Sequence, residues 1–95
     1  MSIDVIFAPE VDQAILHHLD FVGMGEIPQT INSIEDAKNR LEKTLSTFPL
    51  GGSRFQNDTY YFPVKGYVFI YEFDRENNAV NVLDIHMPGE NWINR

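Results

Sequence analysis

Cysteine is absent from this 95-residue sequence, and so are other features that would define a class of protein. Without cysteine there is no disulfide framework, no thiolate nucleophile and no cysteine-ligated zinc, which is typical of a reducing compartment. No run approaches the about 20 apolar residues that span a bilayer. The first residues also lack the basic region and the long apolar run of a signal peptide. We therefore expect a single cytoplasmic domain over residues 1–95, with no membrane partner.

Basic residues are scarce as well. Seven lysines and arginines stand against 14 acids, which gives a net charge of −7. Because nucleic-acid binding depends on cations that neutralise phosphates, this balance disfavours generic binding to DNA or RNA. Residues 1–48 hold eight acids and three bases, whereas residues 49–95 hold six and four, so any basic site is expected in the second half. The alternative is that the surplus acid only keeps a small protein soluble.

The first half of the chain has the hydrophobic spacing of helices. We predict a short strand over residues 2–7, a helix over 9–22 and a second helix that starts at Ser33. Ser33 opens a sequence close to a capping box. The apolar stripe of this second helix continues at helical spacing to Phe48, and we interpret it as core packing.

The second half changes to the period of β-strands. We predict three strands joined by two turns, at residues 58–64, Lys65-Gly66, 67–74, 75–78 and 79–85. Residues 67–74 are nearly all aromatic or β-branched, as in a central strand buried on both faces. The order β-α-α-β-β-β predicts an α+β domain with two helices packed on one face of a small antiparallel sheet. Met87 and Trp92 are expected to pack back on this sheet, with contact to a partner as the alternative.

The histidines are the first candidates for chemistry. His17 and His18 are adjacent on a predicted helix and point about 100° apart, so they cannot share one metal ion. His17 and Asp20 share a face, but two ligands do not make a metal site. His86 lies where a strand ends, and imidazole groups titrate near neutral pH, so His86 is a candidate general acid or base, with a structural role as the alternative. No nucleophile motif or phosphate-binding loop occurs, and we expect neither a metal nor a cofactor.

The bases of the second half are the other candidates. Arg54, Lys65 and Arg75 lie at the ends of predicted strands, and four tyrosines are interspersed among them. Aromatic and basic side chains together can bind RNA by stacking and charge. The same aromatic residues also suit the core of a small sheet, so both interpretations stay open. Arg54, Lys65 and Arg75 are our candidates for contact with a phosphate or a partner.

Three segments of the chain occur in the order found in one known group of small proteins. They are Pro9–Leu19, then SIEDAKNRLEKTLSTFPLGGSRF with a Pro-x-x-Gly turn and the basic Arg54, then GYVFIYEFDRENNAVNVLDIH, which ends in a histidine. Over about residues 3–88 the chain resembles the RelE/ParE toxin superfamily. The resemblance implies a twisted antiparallel sheet backed by two N-terminal helices. It also implies a toxin of a type II toxin–antitoxin system, neutralised by a cognate antitoxin in a hetero-oligomer.

The resemblance implies two modes of action. RelE-like members cut mRNA on the ribosome by attack of a 2′-hydroxyl on the adjacent phosphate. That chemistry needs a proton acceptor, a proton donor and cations for the developing charge. ParE-like members inhibit DNA gyrase by protein–protein contact and are not enzymes of this kind. A third alternative is a non-toxic binding or regulatory domain on the same fold.

The carry-over of site residues is partial. If the chain is RelE-like, His86, Arg54 and Tyr71 match catalytic or basic positions of the family, with His86 as acid or base. The arginine that usually precedes this tyrosine by three residues is Val68 here. This departure and the acidic balance favour the ParE-like mode, with a target of gyrase rather than the ribosome.

Overall fold

A computed structural model describes residues 3–90. Seven helices and strands follow one another along the chain: β1 (Asp4–Phe7), α1 (Pro9–Leu19), α2 (Ile27–Leu45), β2 (Ser53–Arg54), β3 (Thr59–Val64), β4 (Tyr67–Asp74) and β5 (Ala79–His86). A single 3₁₀ turn over Met24–Glu26 leads into α2. The α+β class and the order of the predicted elements are confirmed, and β2 is an additional short strand. Among the helices of residues 3–90, none is long and apolar enough to cross a membrane.

Both helices have a proline in their first turn. Pro9 lies in the first turn of α1, where the missing N–H costs no helical hydrogen bond. The prediction that the second helix starts at Ser33 is wrong, because α2 begins at Ile27 with Pro28 in its first turn. Ser33 lies inside this helix and does not cap it. Pro28 follows the first helix in the sequence, and proline favours both the end of one helix and the start of the next.

The sheet has five strands in the order β1-β5-β4-β3-β2. Of the four pairs of adjacent strands, three are antiparallel. The fourth is parallel and joins β1 to β5, with Asp4 opposite Ala79. The sheet is therefore mixed rather than wholly antiparallel. A parallel pair needs a long crossover, and here α1, α2 and the other strands all lie between its two members. As predicted, β4 is the central strand.

Two tight turns follow the predicted chemistry. Lys65 and Gly66 both have positive φ, at 55° and 87°, and join β3 to β4. Asn78, with φ of 53°, precedes β5. Asparagine and glycine adopt this left-handed conformation more readily than other residues do.

The two faces of the sheet have different surroundings. On the inner face, which packs against the helices, alternate residues of β3, β4 and β5 join a core with Val11, Ile34, Leu41 and others. On the opposite face, called the outer face here, Val68 and Ile70 form a separate small cluster with Phe55 and Tyr61. Alternation along each strand produces this division.

Met87, Trp92 and Phe48 were all expected to pack in the core, and their outcomes differ. Met87 is buried in the inner core, which confirms its predicted packing. Trp92 lies outside the described residues. Phe48 was assigned to the stripe of α2 but lies beyond the end of that helix, and 65% of it is exposed.

Candidate functional site

His86 lies on the outer face at the end of β5. Its Cα partner on β4 is Val68, and the next pair on this face is Ile70 with Asp84. The ring Nε2 is 3.6 Å from Asp84 Oδ2, and Nδ1 is 3.5 Å from Glu90 Oε2. Only 15% of the side chain is exposed. The imidazole is thus held between two carboxylates.

The outer face around His86 carries acids but no bases. In β3, β4 and β5, which the structure describes completely, the strand register places eleven residues on this face: Thr59, Tyr61, Pro63, Val68, Ile70, Glu72, Asp74, Ala79, Asn81, Asp84 and His86. Glu72 accepts a hydrogen bond from the Asn81 amide at 3.4 Å. Val68, the position at which the resemblance implied an arginine, lies directly beside His86. A cation at this position would have been next to the imidazole, and it is missing.

Tyr71 lies on the inner face. It is fully buried, and its hydroxyl accepts a hydrogen bond from the Gly52 N–H at 2.9 Å. Its ring stacks on Tyr60 with centroids 5.4 Å apart. Burial raises the pKa of the Tyr71 hydroxyl above its ordinary value of 10.0. Tyr71 and His86 are therefore on opposite faces of the sheet, and the structure does not bring these two predicted site residues together.

Arg54 and Arg75 do come together, on the same side of the sheet as Tyr71. Arg54 is the Cα partner of Tyr60, and its Cζ lies 5.8 Å from the centre of that ring. Arg75 follows β4, and its Cζ lies 5.7 Å from the centre of the Phe73 ring. Both arginines line one cavity of about 320 Å³. The sequence placed these residues 21 positions apart, and only the pairing of β2, β3 and β4 makes them neighbours.

Lys65 is separate from this pair. Its Nζ lies 3.1 Å from Asp36 Oδ2 on α2, and the same oxygen is 3.1 Å from Arg40 Nε. The hydrogen bond from Lys65 lowers the pKa of the Asp36 carboxyl. Lys65 thus links the β3–β4 turn to α2, a contact that the sequence did not predict.

The remaining histidines, His17 and His18, lie on α1 and line a cavity that also includes Glu90. His17 is exposed on α1 and packs edge-on against Phe21, with ring centroids 5.1 Å apart. Within residues 3–90, no three acidic or histidine side chains cluster in a way that could hold a metal ion.

Comparison with known proteins gives relatives in structure only. No protein-family model and no curated protein sequence matches the chain. The RelBE2 toxin–antitoxin complex of Mycobacterium tuberculosis matches with a TM-score of 0.60 and 16% identity, over 92% of this chain and 99% of that one. The archaeal RelE–RelB complex of Pyrococcus horikoshii matches with a TM-score of 0.55 and 14% identity, over 95% and 99%.

A third solved structure gives the same result. A mutant of the E. coli toxin RelE, in complex with a peptide of the antitoxin RelB, matches with a TM-score of 0.56 and 19% identity, over 95% of this chain and 87% of that one. At identities this low, the likeness concerns the path of the backbone. The chain has the fold of the RelE toxins, as its resemblance to the RelE/ParE superfamily predicted.

Proposed function

We propose that this protein is the toxin of a type II toxin–antitoxin pair and is neutralised by a cognate antitoxin. The fold supports this proposal. Along nearly its whole length, the chain shares the fold with toxins that were solved in complex with their antitoxins. The first test is genetic. Induction in a bacterial host should arrest growth, and co-expression of the neighbouring short reading frame should restore it. Harmless expression without any partner would instead favour a non-toxic binding or regulatory domain.

We further propose that the toxin acts by protein–protein contact, as the ParE-like members do, and that DNA gyrase is its target. One observation carries this choice: in β3, β4 and β5, the outer face that holds His86 has carboxylates and no lysine or arginine. RNA that docked on this face would bring its phosphates towards Asp84 and Glu90. Electrostatic repulsion would oppose that approach.

The chemistry of RNA cleavage points the same way. Attack of a 2′-hydroxyl places additional negative charge on the phosphate in the transition state, and preorganised cations or donors normally stabilise it. His86 could move a proton, which is worth about 10²–10⁴ in rate. The charge on the phosphate would have no positive partner on this face, because Val68 stands where the family pattern has arginine.

Supercoiling by purified gyrase tests the proposed target. Addition of the protein at micromolar concentration should inhibit supercoiling, and the antitoxin should relieve the inhibition. His86→Ala is the matched variant, since a contact inhibitor does not need the imidazole for chemistry. Supercoiling that proceeds at its normal rate with the folded protein present would remove gyrase as the target.

The second candidate is a RelE-like endoribonuclease. It is supported by the RelE toxins among the solved structures and by the position of His86 at a strand end. In this case, primer extension on translated mRNA after induction should show cuts linked to codons, and His86→Ala should abolish them. Cuts that survive this substitution would contradict the role of His86.

A further inference from the structure

The inner side of the sheet carries a cleft with one cationic and one apolar end. Two adjoining cavities, of about 320 and about 400 Å³, share Leu50, Phe73 and Arg75. We call the combined feature the arginine cleft, and its main residues are Phe48, Leu50, Arg54, Tyr60, Phe73 and Arg75. It lies on the face opposite His86, so it is distinct from the outer-face site.

The cationic end consists of the two arginines. Among residues 3–90, Arg40 and Lys65 are engaged with Asp36, whereas neither Arg54 nor Arg75 forms an ion pair. Each guanidinium is held near an aromatic ring, Tyr60 or Phe73, and this orients the group while its N–H donors stay available. Asp58 also lines the cavity and is the one acid there. Two positive charges and one negative charge leave a net positive site on an acidic protein.

The apolar end lies in the loop between α2 and β2. Phe48 is 65% exposed and Leu50 is 43% exposed, and together with Pro49 and Phe73 they form the wall beside Arg75. When a partner removes exposed apolar side chains from water, the complex is stabilised by about 25 cal/mol for each Å² of apolar area buried. The cleft thus offers hydrophobic contact and a charge partner side by side.

We propose that the arginine cleft binds a segment of a partner protein in which a carboxylate side chain neighbours a large apolar one. Charge complementarity selects the carboxylate, because arginine presents a planar set of donors that matches this group. The apolar wall selects the neighbouring side chain. A nucleic acid is disfavoured, because a polyanion needs many cations. The cleft has only two arginines, and the acidic Asp58 also lines it. This proposal does not depend on whether the chain is a toxin.

A peptide titration tests the cleft directly. The probe is a fluorescent synthetic peptide that alternates Glu with Leu. Its fluorescence anisotropy is measured as the full-length protein is added. Companion peptides replace Glu with Gln or Leu with Ser, and a single-stranded RNA oligonucleotide is titrated under the same conditions. We expect saturable binding of the Glu–Leu peptide, and weaker binding of both companions and of the RNA.

Variants of the protein locate the binding. Arg54→Gln and Arg75→Gln should each weaken binding about fivefold, and the double variant about twentyfold, because an exposed ion pair contributes up to about 1 kcal/mol. The control is Arg40→Gln with Lys43→Gln, which removes the same charge from α2 and should change binding less than twofold. Phe48→Ser should also weaken binding.

Three results would overturn the proposal. They are the absence of saturable peptide binding, equal binding by the double arginine variant and the α2 control, and tighter binding of the RNA than of the peptide. Thermal unfolding of each variant confirms that it is folded, which is expected because both arginines are exposed.

Discussion

Replacement of Tyr71 by phenylalanine tests whether this residue supports the fold or takes part in chemistry. The substitution removes one oxygen and keeps the buried ring and its stacking on Tyr60. What is lost is the acceptor of the Gly52 N–H, which lies 2.9 Å from the hydroxyl in a partly buried position. Gly52 precedes β2, so this hydrogen bond fixes the short edge strand that carries Arg54.

The loss of stability arises because the Gly52 N–H is left without its acceptor. An unsatisfied buried N–H costs about 1–3 kcal/mol, and the lower part of that range applies because the bond is only partly buried. We therefore expect Tyr71→Phe to lower the free energy of unfolding by about 1–2 kcal/mol. For a domain of this size, that corresponds to a decrease of roughly 5–15 °C in the unfolding midpoint.

Thermal denaturation followed by circular dichroism measures this change. Tyr67→Phe is the control, since Tyr67 is a buried residue of the same strand for which no hydroxyl hydrogen bond is found within residues 3–90. It should lower the midpoint by much less. An unchanged midpoint for Tyr71→Phe together with a loss of toxicity would refute the structural role and restore Tyr71 as a site residue.

Three further predictions concern stability. Gly52→Ala should destabilise the protein by about 1–3 kcal/mol or more in urea denaturation, because the new Cβ would lie 2.6 Å from the Tyr61 carbonyl oxygen; a normal midpoint would contradict this contact. Leu41→Ala should cost about 2–5 kcal/mol in the same assay, since Leu41 is fully buried under the sheet, and a cost below 1 kcal/mol would not fit. Lys65 lowers the pKa of Asp36 below 3.8, so the carboxylate stabilises the folded state above its unfolded pKa and loses this effect as the pH falls through the folded value. The stability difference between the wild type and Asp36→Asn should therefore shrink towards zero from about pH 6 to about pH 2, and a difference that does not vary with pH would contradict the pairing.

The sequence predicted much of the fold because the information was local. Helical spacing after Pro9 and the aromatic run of residues 67–74 identified α1 and the central strand. The turn at Lys65-Gly66 followed from Gly66, since glycine tolerates positive φ. The start of α2 was missed because Pro28 suits both the end of a loop and the first turn of a helix. The parallel pairing of β1 was missed because its partner lies more than 70 positions away.

The candidate site was less predictable because it depends on which face each side chain occupies. Along a strand, residues alternate between faces, and a single extra residue reverses the assignment. The ladder between β4 and β5 shifts register after Ile70, which is paired with Asp84, while Tyr71 is paired with Val82. A count along the sequence does not reveal that irregularity. The structure separates Tyr71 from His86 and joins Arg54 to Arg75, which lie on different strands or turns.

The absence of a cation beside His86 connects the fold to the proposed function. The strand order and the register place Val68 next to the imidazole, and the carboxylates of Asp84 and Glu90 lie within 4 Å of its two nitrogens. In β3, β4 and β5, the outer face of this RelE-type fold carries no lysine or arginine. We expect Val68→Arg to be the single substitution most able to bring RNA-directed chemistry to this face.

The central claim is that this RelE-type fold acts by contact and not by RNA cleavage. The most direct measurement is primer extension on translated mRNA in a bacterial host, made after induction of the wild type and of His86→Ala at matched protein levels. We expect growth arrest with both proteins and no codon-linked cuts with either. Codon-linked cuts that appear with the wild type and disappear with His86→Ala would contradict it.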